Sequence, residues 1–182
     1  MIQLFTELQE KKNVRSNLSA LRASLKEATE EQKAQAIEFV RGHEDLVFGF
    51  LQEEDAKTRK NAALLLGDLA VQNALQPLWK AYTREQTLFV KSAYLEAMKA
   101  LHAEEILSQL KDRLAELEGE PVTEENRKHW EAELRALRAI LIQYEGIDTH
   151  HFDIKQKNNH VLLVTNRNHR GILENQTGGK AH

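Results

Sequence analysis

Residues 58–69 read TRKNAALLLGDL, and residues 90–101 read VKSAYLEAMKAL. Set one above the other they align without a gap. Arg59 falls over Lys91, Ala62 over Tyr94, Ala63 over Leu95, Leu66 over Met98 and Leu69 over Leu101, an offset of 32 residues. The same offset places Leu46, Val47 and Phe50 over Leu78, Trp79 and Tyr82, and then Leu75, Leu78 and Tyr82 over Leu107, Leu110 and Leu114. The partner segment of that last unit follows at 36, with Lys91 over Arg127, Tyr94 over Trp130, Met98 over Leu134 and Leu101 over Leu137. Four extra residues must lie between its two helices. There EGEPVTEEN (118–126) supplies Gly119 and Pro121, a strong loop signal.

Each unit reads as helix, turn, helix. Ala62, Leu65, Leu66 and Leu69 recur at helical spacing on one face. A lone hairpin of this length cannot bury that face, whereas stacked hairpins share one core. The pattern Asp55-x-x-Thr58-Arg59-x-x-Ala62-Ala63-x-x-Leu66-Gly67-x-Leu69 resembles the second helix of a HEAT repeat, and Ala74-x-x-Pro77-Leu78-x-x-Ala81 resembles its first helix, including the early proline. The resemblance implies a mainly α fold, a right-handed α-α superhelix of HEAT-like helical hairpins, with repeats at 44–73, 74–103 and 104–145 and a solenoid spanning 1–145. The third unit departs from the pattern at Glu131, where a small or apolar residue is usual, and in its long loop.

Residues 1–43 read as irregular capping helices. Arg15, Asn17, Leu21 and Leu25 stand 44 residues before Arg59, Asn61, Leu65 and Leu69, an excess of 12 over the repeat, about one extra helix. The segment 30–43, EEQKAQAIEFVRGH, supplies that helix. Thr29 and Gln32 offer a capping box at its start, and Gly42 a stop.

Composition bounds the function classes. Of 182 residues 41% are hydrophobic and 29% charged, enough to bury a core, and the net charge of −3 gives no global attraction to nucleic acid or an anionic membrane. With no cysteine, disulfides, thiolate nucleophiles and cysteine-based zinc sites are excluded. No apolar run approaches the roughly 20 residues of a membrane span, and MIQLFTELQEKK is unlike a signal or transit peptide. A cytoplasmic location is expected.

Chemistry-bearing motifs are scarce. No Gly-rich phosphate loop, HExxH zinc motif or nucleophile elbow occurs. His150, His151, His160 and His169 crowd one window, but without a helical i, i+4 pair no metal site is expected, and no cofactor is expected either. Arg59, Lys91 and Arg127 share one register. They form a basic stripe that with Tyr94 lines a partner groove, or each pairs with a carboxylate of the neighbouring unit, as is common in HEAT-like stacks. Lys60, Lys128, Arg135 and Arg138 add charge nearby, but Glu124, Glu125, Glu131 and Glu133 interleave with it, which describes a solvated mixed-charge face.

After residue 145 the composition changes. HHFDI and HVLLV (160–164) suit two strands, with Lys157, Asn158 and Asn159 at the turn, in a linker and β-containing tail at 146–182. Val161 to Val164 is apolar on both faces, like a central strand. The tail is expected to be a short C-terminal β-hairpin or the front of an α/β domain truncated at His182. Alternatively the strand pairs with another chain and makes an oligomer. The layout, a HEAT-like region leading into LLVTNRNHR, with Leu163, Thr165, Asn166, Arg167 and His169 and the upstream FVKSAYL (89–95), is similar to the N-terminal accessory part of certain bacterial SAM-dependent RNA methyltransferases with a THUMP-like module. The resemblance implies no catalysis in this chain, since the SAM-binding glycine loop is absent. The leading expectation is thus a non-catalytic scaffold that binds a protein partner or a downstream domain. The second is a nucleic-acid-binding accessory module in which Asn166, Arg167, His169 and Arg170 contact RNA phosphates.

Overall fold

The computed structural model describes residues 1–145 and, beyond them, the backbone of residues 152–157 and 160–165. The helices are α1 (Ile2–Gln9), α2 (Val14–Leu25), α3 (Glu30–Gly42), α4 (Glu44–Gly49), α5 (Ala56–Asp68), α6 (Leu75–Arg84), α7 (Leu88–Ala100), α8 (Leu107–Gly119) and α9 (Arg127–Glu145), with 3₁₀ turns at Phe50–Gln52, Gln72–Ala74 and Ala103–Ile106. Their ends follow local chemistry. The Thr29 capping box forms in both directions, with the Gln32 N–H on Thr29 Oγ1 at 3.3 Å and the Thr29 N–H on Gln32 Oε1 at 3.0 Å. Pro77 stands in the first turn of α6, where its missing N–H leaves no intrahelical bond unmade. The expected long loop holds Pro121 and separates α8 from α9.

The helices pair as hairpins. α1 packs on α2, α4 with its 3₁₀ extension on α5, α6 on α7, and α8 on α9. The second members then stack in order, α2 on α5 on α7 on α9. One continuous core runs from Leu8 to Leu141, with Phe50, Tyr82 and Tyr94 its bulkiest fully buried side chains. The 12-residue excess near the N-terminus is α3, which inserts between α2 and α4 while α2 stacks directly on α5. α3 packs on α1 by stacking Phe39 on Phe5, ring centroids 4.4 Å apart. Asn17, buried on α2, donates to Glu7 Oε2 of α1 at 2.8 Å.

α5 and α7 approach each other tightly at Gly67. A Cβ added at Gly67 would stand 2.9 Å from Ala97 Cα, so only glycine lets the two backbones meet there. At the end of α5 the chain turns through Ala70, with φ of 50°. The Val71 N–H reaches the Leu66 carbonyl and the Ala70 N–H the Gly67 carbonyl, each at 3.0 Å, a Schellman cap built without its usual glycine.

The fold class needs correction. The helical body is 81% helical and 0% strand, so it is all-α, with no β-hairpin or α/β fragment built into it. The helices bury their apolar faces on one another in a single core. Segments Phe152–Lys157 and His160–Thr165 pair antiparallel only with each other. Among the described residues Val161 to Val164 therefore has a neighbouring strand on one side, not on both as expected. The rest of the tail, including the Asn158–Asn159 turn, lies outside the described residues.

Candidate functional site: a groove beside Arg59

Asp55 caps α5, its Oδ2 accepting the Thr58 N–H at 2.8 Å and the Thr58 hydroxyl at 2.7 Å. That cap fixes the first turn and so aims Arg59, one residue on, across to the next hairpin. Arg59 Nε and Nη2 donate to the two oxygens of Glu85 at 2.8 and 3.0 Å, a bidentate pair. Its Nη1 donates to the carbonyls of Glu53 and Glu54, both at 2.8 Å. Glu85 also accepts the N–H groups of Gln86 at 3.1 Å and Thr87 at 2.8 Å, where α7 begins. One guanidinium and one carboxylate thus tie the segment before α5 to the segment before α7.

Above this latch lies an open groove of about 800 Å³. Phe48, Leu51, Pro77 and Ala81 give it an apolar floor; Gln52, Glu53, Lys80 and Arg84 stand around it. Tyr94 forms part of the wall from below, buried, its hydroxyl donating to the Leu51 carbonyl at 3.1 Å. Burial raises the Tyr94 phenol to about 12, the Glu85 charge pushes the same way, and Arg59 opposes both. Burial also pushes the Glu85 carboxyl up, but the Arg59 and Thr87 donors outweigh it and hold it below the usual range. The Arg59 guanidinium is raised in turn, chiefly by its hydrogen bond to Glu85.

A second, smaller cleft of about 200 Å³ adjoins it, sharing Glu85 and Gln86. Its centre is Glu133 of α9, which is 7% exposed. Glu133 accepts from the Tyr82 hydroxyl, from Arg113 Nε at 3.0 Å and from Lys91 Nζ at 3.3 Å. Lys91 also sits over the Tyr82 ring, 5.2 Å from its centroid. Burial would raise the Glu133 carboxyl, yet Arg113, Tyr82 and Lys91 together hold it low; the Tyr82 phenol is raised, by burial first and then by Glu133.

The four groove residues named from sequence therefore separate. Arg59 and Tyr94 share the large groove, Lys91 lines the smaller cleft, and Arg127 bonds to Glu124 in the loop just before α9 at 3.0 Å. Arg59 and Lys91 each meet a carboxylate of the next unit, the second of the two arrangements expected. Asn166, Arg167, His169 and Arg170 lie outside the described residues.

Glu85 and Arg113 were not singled out by sequence, and Glu133 was expected on a solvated face. Glu133 is not on a solvated face: it stands three residues after Trp130 and four before Leu137, on the buried stripe of α9. Helical spacing therefore carried that signal. Trp130 itself is buried and donates its indole N–H to the Leu117 carbonyl at 2.6 Å.

Among the described residues no group of three or more histidines and carboxylates is placed to hold a metal ion, and no helix is long and apolar enough to cross a membrane. Comparison with family models, with curated proteins and with solved structures found no match.

Proposed function

We propose that this chain is a helical-repeat binding module that catalyses no reaction itself, and that the groove beside Arg59 and Tyr94 receives a segment of a protein partner. The groove itself carries the reading. An apolar floor of Phe48, Leu51, Pro77 and Ala81 suits one anchoring side chain of a partner, and the polar groups around it suit its backbone and flanking charges. The Arg59–Glu85 latch holds the surrounding segments in place before binding, which lowers the ordering cost of association. The similarity to the accessory part of RNA methyltransferases extends the reading: the partner would then be a domain that follows in the same polypeptide.

Ala81→Trp fills the floor from a half-buried position and tests the proposal. In affinity capture from cell lysate, at least one protein retained by the wild type should be lost by the variant, with the melting temperature unchanged. Retention of the same proteins by both would contradict the groove.

A further inference from the structure

Away from the groove, Arg15, Ser16 and Ser19 of α2 and Lys57, Lys60 and Asn61 of α5 line a cleft of about 400 Å³. Its lining holds three cations and no carboxylate, in a chain whose net charge is −3. Elsewhere, cations that bridge helices of the stack have a close carboxylate: Arg22 with Asp68 at 2.7 Å, Arg59 with Glu85 at 2.8 Å, Lys91 with Glu133 at 3.3 Å. Here the nearest acid is Asp55. It reaches Arg15 only at 3.9 Å, and its other oxygen is occupied by Thr58. Lys57 and Lys60 enter no ion pair among the described residues, although Lys60 is half-buried.

Asn61 supplies an independent sign. It is 9% exposed, and its Nδ2 finds only the Arg15 carbonyl at 3.5 Å, the outer limit of a hydrogen bond. A buried amide donor so weakly satisfied, beside three cations whose one nearby carboxylate, Asp55, is shared between Arg15 and Lys57 and already capped by Thr58, suits an acceptor that carries several oxygens. Both helices also begin at this end, α2 at Val14 and α5 at Ala56, and add the positive ends of their dipoles.

We infer that the cleft is a binding site for a phosphate group. Lysine and arginine neutralise its charge, and the Ser16 and Ser19 hydroxyls with the Asn61 amide are donors for its oxygens. The group could arrive as orthophosphate or as the phosphate of a small phosphomonoester.

Titration of the labelled chain with inorganic phosphate at constant ionic strength, followed by amide and side-chain NMR shifts, tests the site. Adenosine monophosphate forms a second arm and chloride the control. Saturable shifts at Ser16, Ser19 and Asn61 with phosphate but not chloride are expected, and about tenfold weaker binding in Lys57→Gln/Lys60→Gln. Arg15→Gln, at an exposed position, should weaken binding as well and serves if the double variant folds poorly. Tighter saturation by the nucleotide identifies a phosphomonoester ligand; tighter saturation by orthophosphate identifies the free ion. Shifts that fail to saturate, that chloride reproduces, or that persist unchanged in both variants would overturn the site.

Discussion

Glu133 is one carboxylate holding three donors from three other helices, Tyr82 of α6, Lys91 of α7 and Arg113 of α8. Truncating it leaves a buried phenol and Lys91 without their acceptor and takes from Arg113 its buried one, with only Glu116 and Glu120 remaining. Glu133→Ala should therefore destabilise the fold by about 3 kcal/mol in urea unfolding, whereas a surface glutamate such as Glu96 should cost almost nothing. Glu85 and Glu133 are both held below the ordinary glutamate value of 4.5, their donors outweighing the upward push of burial. The unfolded chain takes up those protons near 4.5, the folded chain only at lower pH. Protons thus favour the unfolded state, and stability present above that value is lost as pH falls through the depressed folded values. The urea midpoint should drop between roughly pH 5 and 3, and less steeply in Glu85→Gln/Glu133→Gln. An equal slope in the variant would refute the assignment. Ala70 gives a prediction of opposite sign. Its φ of 50° strains an L residue, so Ala70→Gly should stabilise the protein by about 0.5–1 kcal/mol, read as a higher melting temperature.

At the scale of the helix, the tight packing of α5 on α7 depends on one missing side chain. Gly67→Ala gains about 1 kcal/mol of helix propensity, yet its methyl would stand 2.9 Å from Ala97 Cα, and α5 and α7 must part to admit it. A net loss of about 1–2 kcal/mol is expected by urea unfolding, and more for Gly67→Val; a gain would mean that the helices are not in contact there. Most helix positions were legible in the sequence, because apolar spacing, the Thr29 capping box and Pro77 act locally. The pairing of α3 was not. Nothing in residues 30–42 reports that Phe39 will stack on Phe5 of α1 while α2 passes beneath to α5, since that choice is made by long-range packing. The candidate site was legible in part. Register brought Arg59 and Tyr94 to one groove, but Glu85 sits in a connection, where no periodicity marks it as buried.

Across the whole molecule, the hairpins are joined by more than apolar contact. Arg22–Asp68 links α2 to α5, Arg59–Glu85 links α5 to the start of α7, and Lys91–Glu133 links α7 to α9. With one core and these cross-links, the helical body should unfold cooperatively. Far-ultraviolet circular dichroism, which sees every helix, and the fluorescence of Trp79 and Trp130, which sees only α6 and α9, should give coincident transitions. Separate midpoints would show a body that divides. A rigid stack is also what the proposed function requires, since a groove shared between two hairpins keeps its shape only while they stay docked. The most direct test of that function is a photo-crosslinking residue placed in cells at Lys80, on the groove, and separately at Lys99, outside it. A discrete protein adduct is predicted from position 80 and none of the same kind from position 99. The same adducts from both positions, or none from position 80, would contradict the proposed function.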